Sequence, residues 1–182
     1  WCLPTEAGEL LALDAASGAL LWRRQMDDGA TMGLCAANDL LLVGLADSRP
    51  IPGGARALLA LDPRTGEERW RFATGAHSLS APAFDGGVVV SASDGRLYAL
   101  DAAGALRWSA AHPAWGPAAP ALAGGVVVAG GRGTLLAAYD AGSGAPLWQL
   151  EGDAWFAGAL AATDDLILTL GFDGALYAVG LR

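Results

Sequence analysis

The chain has 182 residues, 53% of them hydrophobic and 16% charged, with 26 glycines and a net charge of -8. That length suits a single domain, and the mix of apolar residues and glycines suits buried strands joined by many turns rather than disorder. No run of about 18 apolar residues occurs, which excludes a membrane-spanning helix. The acidic balance argues against the clustered Lys and Arg of a nucleic-acid footprint and leaves basic partners open.

The chain opens at Trp1 and soon enters LLALDAASGALLW over residues 10–22. Related stretches follow: LLALDPRTGEERW at 58–70, LYALDAAGALRW at 97–108 and LAAYDAGSGAPLW at 136–148. A fifth begins at Leu176 as LYAVG, and the sequence ends at Arg182. The position after the third strand is taken in turn by Asp14, Asp62, Asp101, Asp140 and Gly180, at spacings of 48, 39, 39 and 40. A period near 40 is that of a four-stranded propeller blade. The chain starts and stops partway through its own repeat, so a segment of a longer protein is expected.

Between these stretches lies a second pattern. Asn38-Asp39, Gly86-Gly87, Gly124-Gly125 and Asp164-Asp165 each precede a short run of Val, Leu or Ile, the mark of a hairpin. Each run then meets another turn, such as Asp94-Gly95, Arg132-Gly133 or Asp173-Gly174. In the second unit that turn expands to ADSRPIPGGAR, residues 46–56, which accounts for the spacing of 48. Its two prolines and two glycines exclude a regular strand.

The third unit gives a whole blade: strand A over residues 78–84, B over 88–93, C over 96–100 and D over 105–109. The apolar runs are short and bounded by turns, which favours strands over helices. The predicted fold is therefore all-β, a propeller of four-stranded blades in an open, partial ring. The units divide as 1–26 (strands B, C and D), 27–74, 75–112, 113–152 and 153–182 (strands A, B and C).

The motif residues have structural roles. Asp14, Asp62, Asp101 and Asp140 bond nearby backbone N–H groups and nucleate the turn after strand C. Gly18, Gly66, Gly104 and Gly144 supply a positive φ or permit a close approach. Trp22, Trp70, Trp108 and Trp148 lie on the outermost strand, where the ring can cover the adjacent blade and the indole N–H can find a backbone acceptor. Cys2 and Cys35 are far apart in sequence, and pair only if the fold brings them together.

This A-L-D-x-x-x-G-x-x-x-W pattern resembles the tryptophan-docking repeat of the quinoprotein-type, PQQ-like β-propellers, and the likeness covers essentially the whole chain. That family includes PQQ-dependent alcohol and glucose dehydrogenases, BamB-type outer-membrane assembly factors and sensor domains of bacterial membrane kinases. Its members have seven or eight blades, and the resemblance implies an extracytoplasmic location.

A dehydrogenase of the family carries adjacent cysteines, a calcium shell of Glu, Asn and Asp, and an Asp base. Here Cys2 and Cys35 are not adjacent, and Asn38, the only asparagine, sits in a turn signal. Asp27-Asp28 and Asp164-Asp165 read as solvated loop acids. His77 and His112 lie in loops without metal-ligand spacing. The expectation is a non-catalytic scaffold with no PQQ, calcium or other metal, closest in character to BamB.

Function is sought where the copies differ. Seven residues after each docking tryptophan stand Gly29, His77, Trp115 and Trp155. In an antiparallel blade the connections from D to the next A emerge on the same face as the B–C turns. His77, Trp115 and Trp155 should therefore form an arc there beside Phe156, Asp27 and Asp28, with Arg49 and Arg56 of the inserted loop. Aromatics and Arg on loops of a rigid scaffold suit a protein or peptide partner. The alternative is that Trp115 and Trp155 plug the axial end of the blades.

Overall fold

The computed structural model describes all residues except 6–7, 27–29, 47–56, 77–78, 113–114, 157, 159, 164 and 181–182. For 30–32, 46 and 115–117 it describes the backbone alone. The described chain is all strand and turn. The first blade is β1 (Cys2–Pro4), β2 (Glu9–Leu13) and β3 (Leu20–Gln25); the second is β4 (Ala30–Ala37), β5 (Leu40–Ala46), β6 (Ala57–Leu61) and β7 (Glu68–Ala73). The third is β8 (Ala83–Phe84), β9 (Val88–Ala92), β10 (Arg96–Leu100) and β11 (Leu106–Ala111). After β12 (Trp115–Pro117) come β13 (Ala121–Ala123), β14 (Val126–Ala129), β15 (Gly131–Arg132), β16 (Leu135–Asp140) and β17 (Pro146–Glu151). The last blade is β18 (Leu160–Ala162), β19 (Leu166–Leu170) and β20 (Leu176–Gly180).

Each blade is an antiparallel meander. The sheets run β1-β2-β3, β4-β5-β6-β7, β8-β9-β10-β11, β13-β14-β16-β17 and β18-β19-β20, with β12 and β15 paired separately. The innermost strands β4, β8, β13 and β18 touch in succession, so the blades follow one another around a common axis. Both faces of an inner blade are covered by neighbours, which is why β6 and β9 are buried along their whole length. The hydrophobic core is accordingly divided into four clusters, one at each blade junction.

Two expectations meet the structure differently. Strand A of the third blade is two residues, Ala83–Phe84, preceded by an isolated bridge from Leu79 to Ala92. Pro82 has no N–H to give the ladder, and the Ser80 hydroxyl accepts the Ser91 N–H at 3.1 Å in place of a regular pairing. The insertion does fall between β5 and β6, although residues 47–56 lie outside the described set. Cys2 and Cys35 are free thiols, one packed at the first junction and the other at the second, and burial pushes both thiols up.

The turn after strand C is the same device four times. The Asp14 carboxylate accepts the Ala16 and Ser17 N–H groups at 3.1 and 2.8 Å and the Ser17 hydroxyl at 2.7 Å. Asp140 does likewise with Ser143, Asp101 with the Ala103 and Ala105 N–H groups, and Asp62 with the Arg64 N–H and the Arg69 guanidinium. These bonds favour the ionised form. They hold Asp14, Asp62 and Asp140 below the ordinary carboxylate range, led respectively by the Ser17 hydroxyl, the Arg69 side chain and the Ser143 hydroxyl. Just before each turn the C–D register slips by one residue, at Ala12/Leu13, Ala60/Leu61, Ala99/Leu100 and Ala138/Tyr139. Such bulges increase the local twist of the strand.

Onto three of these turns a tryptophan from the preceding blade is seated. Trp22 Nε1 donates to the Pro63 carbonyl at 3.0 Å, Trp70 to Ala102 at 3.0 Å and Trp108 to Ala141 at 2.9 Å. The six-membered half of each indole lies on the turn glycine. A Cβ on Gly66, Gly104 or Gly144 would come within 2.8, 2.6 and 2.6 Å of the ring. These glycines also have φ of +73°, +85° and +73°, so both of the reasons for glycine given above apply at once.

Gly18 is the natural control. It has φ +70° but nothing within 4 Å of an added Cβ. Alanine at either position bears the left-handed backbone penalty of about 1–2 kcal/mol. Only Gly104→Ala must also displace Trp70, at a further cost of about 1–3 kcal/mol. Urea unfolding is expected to rank Gly104→Ala below Gly18→Ala by that difference, and equal losses would show that the indole contact contributes nothing.

Candidate functional site

The connections between blades and the B–C turns meet on one face and are stitched together by the backbone. Met26 N–H donates to Gly8 at 2.8 Å, Leu79 to Leu45 at 3.2 Å and His112 to Gly95 at 2.8 Å. Farther along, β12 pairs with β15, Trp115 opposite Arg132. Phe156 N–H donates to Gly133 at 3.1 Å and Phe172 to Trp155 at 3.1 Å. At these described positions the chain entering a new blade is thus bonded to the blade or turn beside it.

Among the described residues, the most exposed aromatic surface on that face is at the last blade. Trp155 is 49% exposed and Phe172, in the turn between β19 and β20, is 71% exposed. Their ring centroids are 6.1 Å apart with planes inclined at 55°. The turn bearing Phe172 is braced by Asp173, whose carboxylate accepts the Tyr177 hydroxyl at 2.6 Å and the Ala175 N–H at 3.0 Å. The Tyr177 bond is the main reason the Asp173 carboxyl sits low. The third blade repeats the brace, Tyr98 donating to Asp94 at 2.6 Å; burial first, and that bond second, push the Tyr98 hydroxyl up to about 12.

The residues expected in the arc are placed unequally. Trp155 is on the surface as described. Trp115 opens β12, with only its backbone described. His77, Arg49, Arg56, Asp27, Asp28 and Gly29 lie outside the described residues. Phe156 requires correction: it is fully buried and takes no part in the surface. Its ring fills the space above Gly152, where a Cβ would come within 2.6 Å, and packs edge-on against Tyr177 at 5.0 Å. Phe172 was not singled out from sequence, although an aromatic inside the turn GFDG, where DG serves in other copies, is a readable signal.

His112 is also more than a loop residue. It is buried, with Nε2 3.1 Å from the Gly130 carbonyl and Nδ1 3.1 Å from the Tyr139 hydroxyl. A carbonyl can only accept, so Nε2 carries the proton. The Tyr139 hydroxyl shares its own proton between Nδ1 and the Ala111 carbonyl, 3.0 Å away. Burial holds the imidazole below its ordinary value of 6.5.

Of the residues weighed for a PQQ–calcium site, the structure describes the two cysteines and Asn38. Cys2 and Cys35 pack at different junctions. Asn38 holds the β4–β5 turn at φ +52°. Among the described residues no three His, Cys, Asp or Glu side chains converge, and no helix is long and apolar enough to cross a membrane.

The buried imidazole sets a pH dependence. A group that folding keeps neutral takes up its proton on unfolding, so its contribution is complete above pH 6.5 and is lost as the pH falls toward the lower folded value. Unfolding free energy is expected to drop between pH 7.5 and 5.5, by up to about 1.4 kcal/mol per pH unit for the one proton. The His112→Gln variant should show a flatter profile over the same window; identical slopes would remove His112 as the cause.

A family model described as outer membrane protein assembly factor BamB matches residues 6–114 and 93–180. No curated protein matches the sequence. Among solved structures, the computationally designed Ika8 protein aligns with a TM-score of 0.82 at 19% identity, over 99% of this chain and 55% of that one. BamB from Moraxella catarrhalis aligns with a TM-score of 0.72 at 21% identity, over all of this chain and 60% of that one. The designed Ika4 protein aligns with a TM-score of 0.73 at 19% identity, over 94% of this chain and 96% of that one. At these identities the structures establish the β-propeller fold, and the chain spans little more than half the length of the first two. With the repeats, the seated indoles and the family match together, the chain belongs to the BamB-type family of PQQ-like β-propellers.

Proposed function

We propose that this propeller is a non-catalytic scaffold for protein–protein interaction in the cell envelope, with the face of connections and B–C turns as its docking surface. The observation that supports it is the exposed Trp155–Phe172 pair on a backbone fixed by cross-bonding. Large aromatic rings held in place lose little conformational entropy on binding and dominate interface energetics. The family description names an outer-membrane assembly factor, which makes envelope proteins the partners to try first.

Immobilised chain is expected to retain one or a few proteins from a bacterial envelope extract. A Trp155→Ala/Phe172→Ala double variant should lose at least about tenfold of that retention, while Trp1→Ala, on the first blade, should lose none. Equal retention by the double variant would sink this surface as the docking site. Added PQQ and calcium are expected to leave the tryptophan fluorescence unchanged, and a saturable change would favour the dehydrogenase instead.

A further inference from the structure

The face opposite the blade connections carries the A–B and C–D turns. Between the third and fourth blades it opens into a cavity of about 200 Å³. Both are four-stranded blades inside the arc, so neither terminus shapes the cavity. Val89 and Ala99 line it from the third blade, Leu122 and Ala141 from the fourth, and all four belong to the core of that junction. The Ala141 wall is held from two sides. Its N–H donates to the Gly125 carbonyl at 2.9 Å, and its carbonyl accepts the Trp108 indole N–H at 2.9 Å. The mouth of the cavity carries two opposite charges, Asp85 and Arg107.

Both charges stand where the third blade departs from its relatives. Arg107 is the extra residue of the C–D bulge, since Trp108 lies opposite Ala99 and Leu106 opposite Leu100. A bulge re-aims the side chain it carries. The same position in the other blades is Leu21, Arg69 and Leu147. Arg69 is committed to the Asp62 carboxylate of its own turn. In the third blade the corresponding Asp101 accepts the Ala103 and Ala105 N–H groups instead. Arg107 reaches toward the A–B turn, where a Cβ on Gly87 would stand 3.8 Å from its Nη1. That turn runs over residues 85–87, against 124–125 in the fourth blade, and Asp85 opens it. Among the described residues neither the Asp85 carboxylate nor the Arg107 guanidinium has an ion-pair or hydrogen-bond partner.

We infer that this cavity binds a free α-amino acid with a branched aliphatic side chain. Arg107 takes the carboxylate through its guanidinium fork, Asp85 takes the ammonium, and the side chain enters between Val89 and Leu122. The cavity is smaller than the roughly 300–1,000 Å³ of sites for drug-sized ligands, which suits a single amino acid. A ligand of the same shape with only one charge forfeits one of the two charge-assisted bonds, so the site selects the zwitterion. It lies on the face away from Trp155 and Phe172, so its ligand and a protein partner do not compete.

The test uses the whole 182-residue chain and no protein partner, so it stands or fails separately from the scaffold reading. Calorimetric titration with L-leucine is expected to show saturable binding of one molecule per chain. Isocaproate, which lacks the ammonium, and isoamylamine, which lacks the carboxylate, should each bind at least about tenfold more weakly. Arg107→Gln and Asp85→Asn should weaken L-leucine binding by as much, with near-ultraviolet circular dichroism unchanged. Leu122→Phe keeps both charges but fills the cavity, and should abolish binding; if that variant unfolds, the two charge variants carry the test. No saturable heat with L-leucine, equal binding of isocaproate, or undiminished binding by Arg107→Gln would each overturn the proposal.

Discussion

The indole seated on a turn glycine is the contact on which the rest of the molecule depends. It fixes two things at once. The ring needs a glycine beneath it, because any Cβ there would lie within 3 Å of the aromatic carbons. The Nε1 proton needs a carbonyl at a set distance, which the Asp-capped turn provides. A tryptophan buries on the order of 150–250 Å², so each such contact forms a large part of its junction. The C–D register slip at all four described C–D pairings follows the same logic, since a regular ladder would not carry the extra residue into the turn.

How much of this was legible in the sequence depends on the range of the contacts. Hairpins are local, and pairs such as Gly86-Gly87 or Asp94-Gly95 announce them directly. The Asp, Gly and Trp of the motif recur at a fixed period, which exposes even their contact across neighbouring blades. The inner strands were less readable. Strand A of the third blade looked continuous, and was shortened by Pro82 and the Ser80 hydroxyl, whose effect depends on which partner lies opposite. Phe156 and Trp155 are adjacent in sequence and face opposite ways. The deciding contact is the space left by Gly152 and Gly130, and nothing in the order of residues 155 and 156 encodes it.

The division of labour within each blade follows from the repeat. Positions that recur are committed to neighbours and have little surface to offer. Positions that vary lie in the connections and B–C turns, where side chains can change without disturbing a junction. The Asp173–Tyr177 brace shows how a variable turn is kept in shape: a short charged hydrogen bond from the adjoining strand holds the backbone while Phe172 projects. His112 serves the same end from within, tying the exit of the third blade to Tyr139 and Gly130 of the fourth.

Each seated indole comes from the earlier blade and each glycine from the later one. Synthesis proceeds from the N-terminus, so each ring is made before the turn that receives it. The next blade then condenses on an apolar template already in place, and its contacts close over one repeat rather than the whole chain. A radial protein of this kind can be built up one unit at a time.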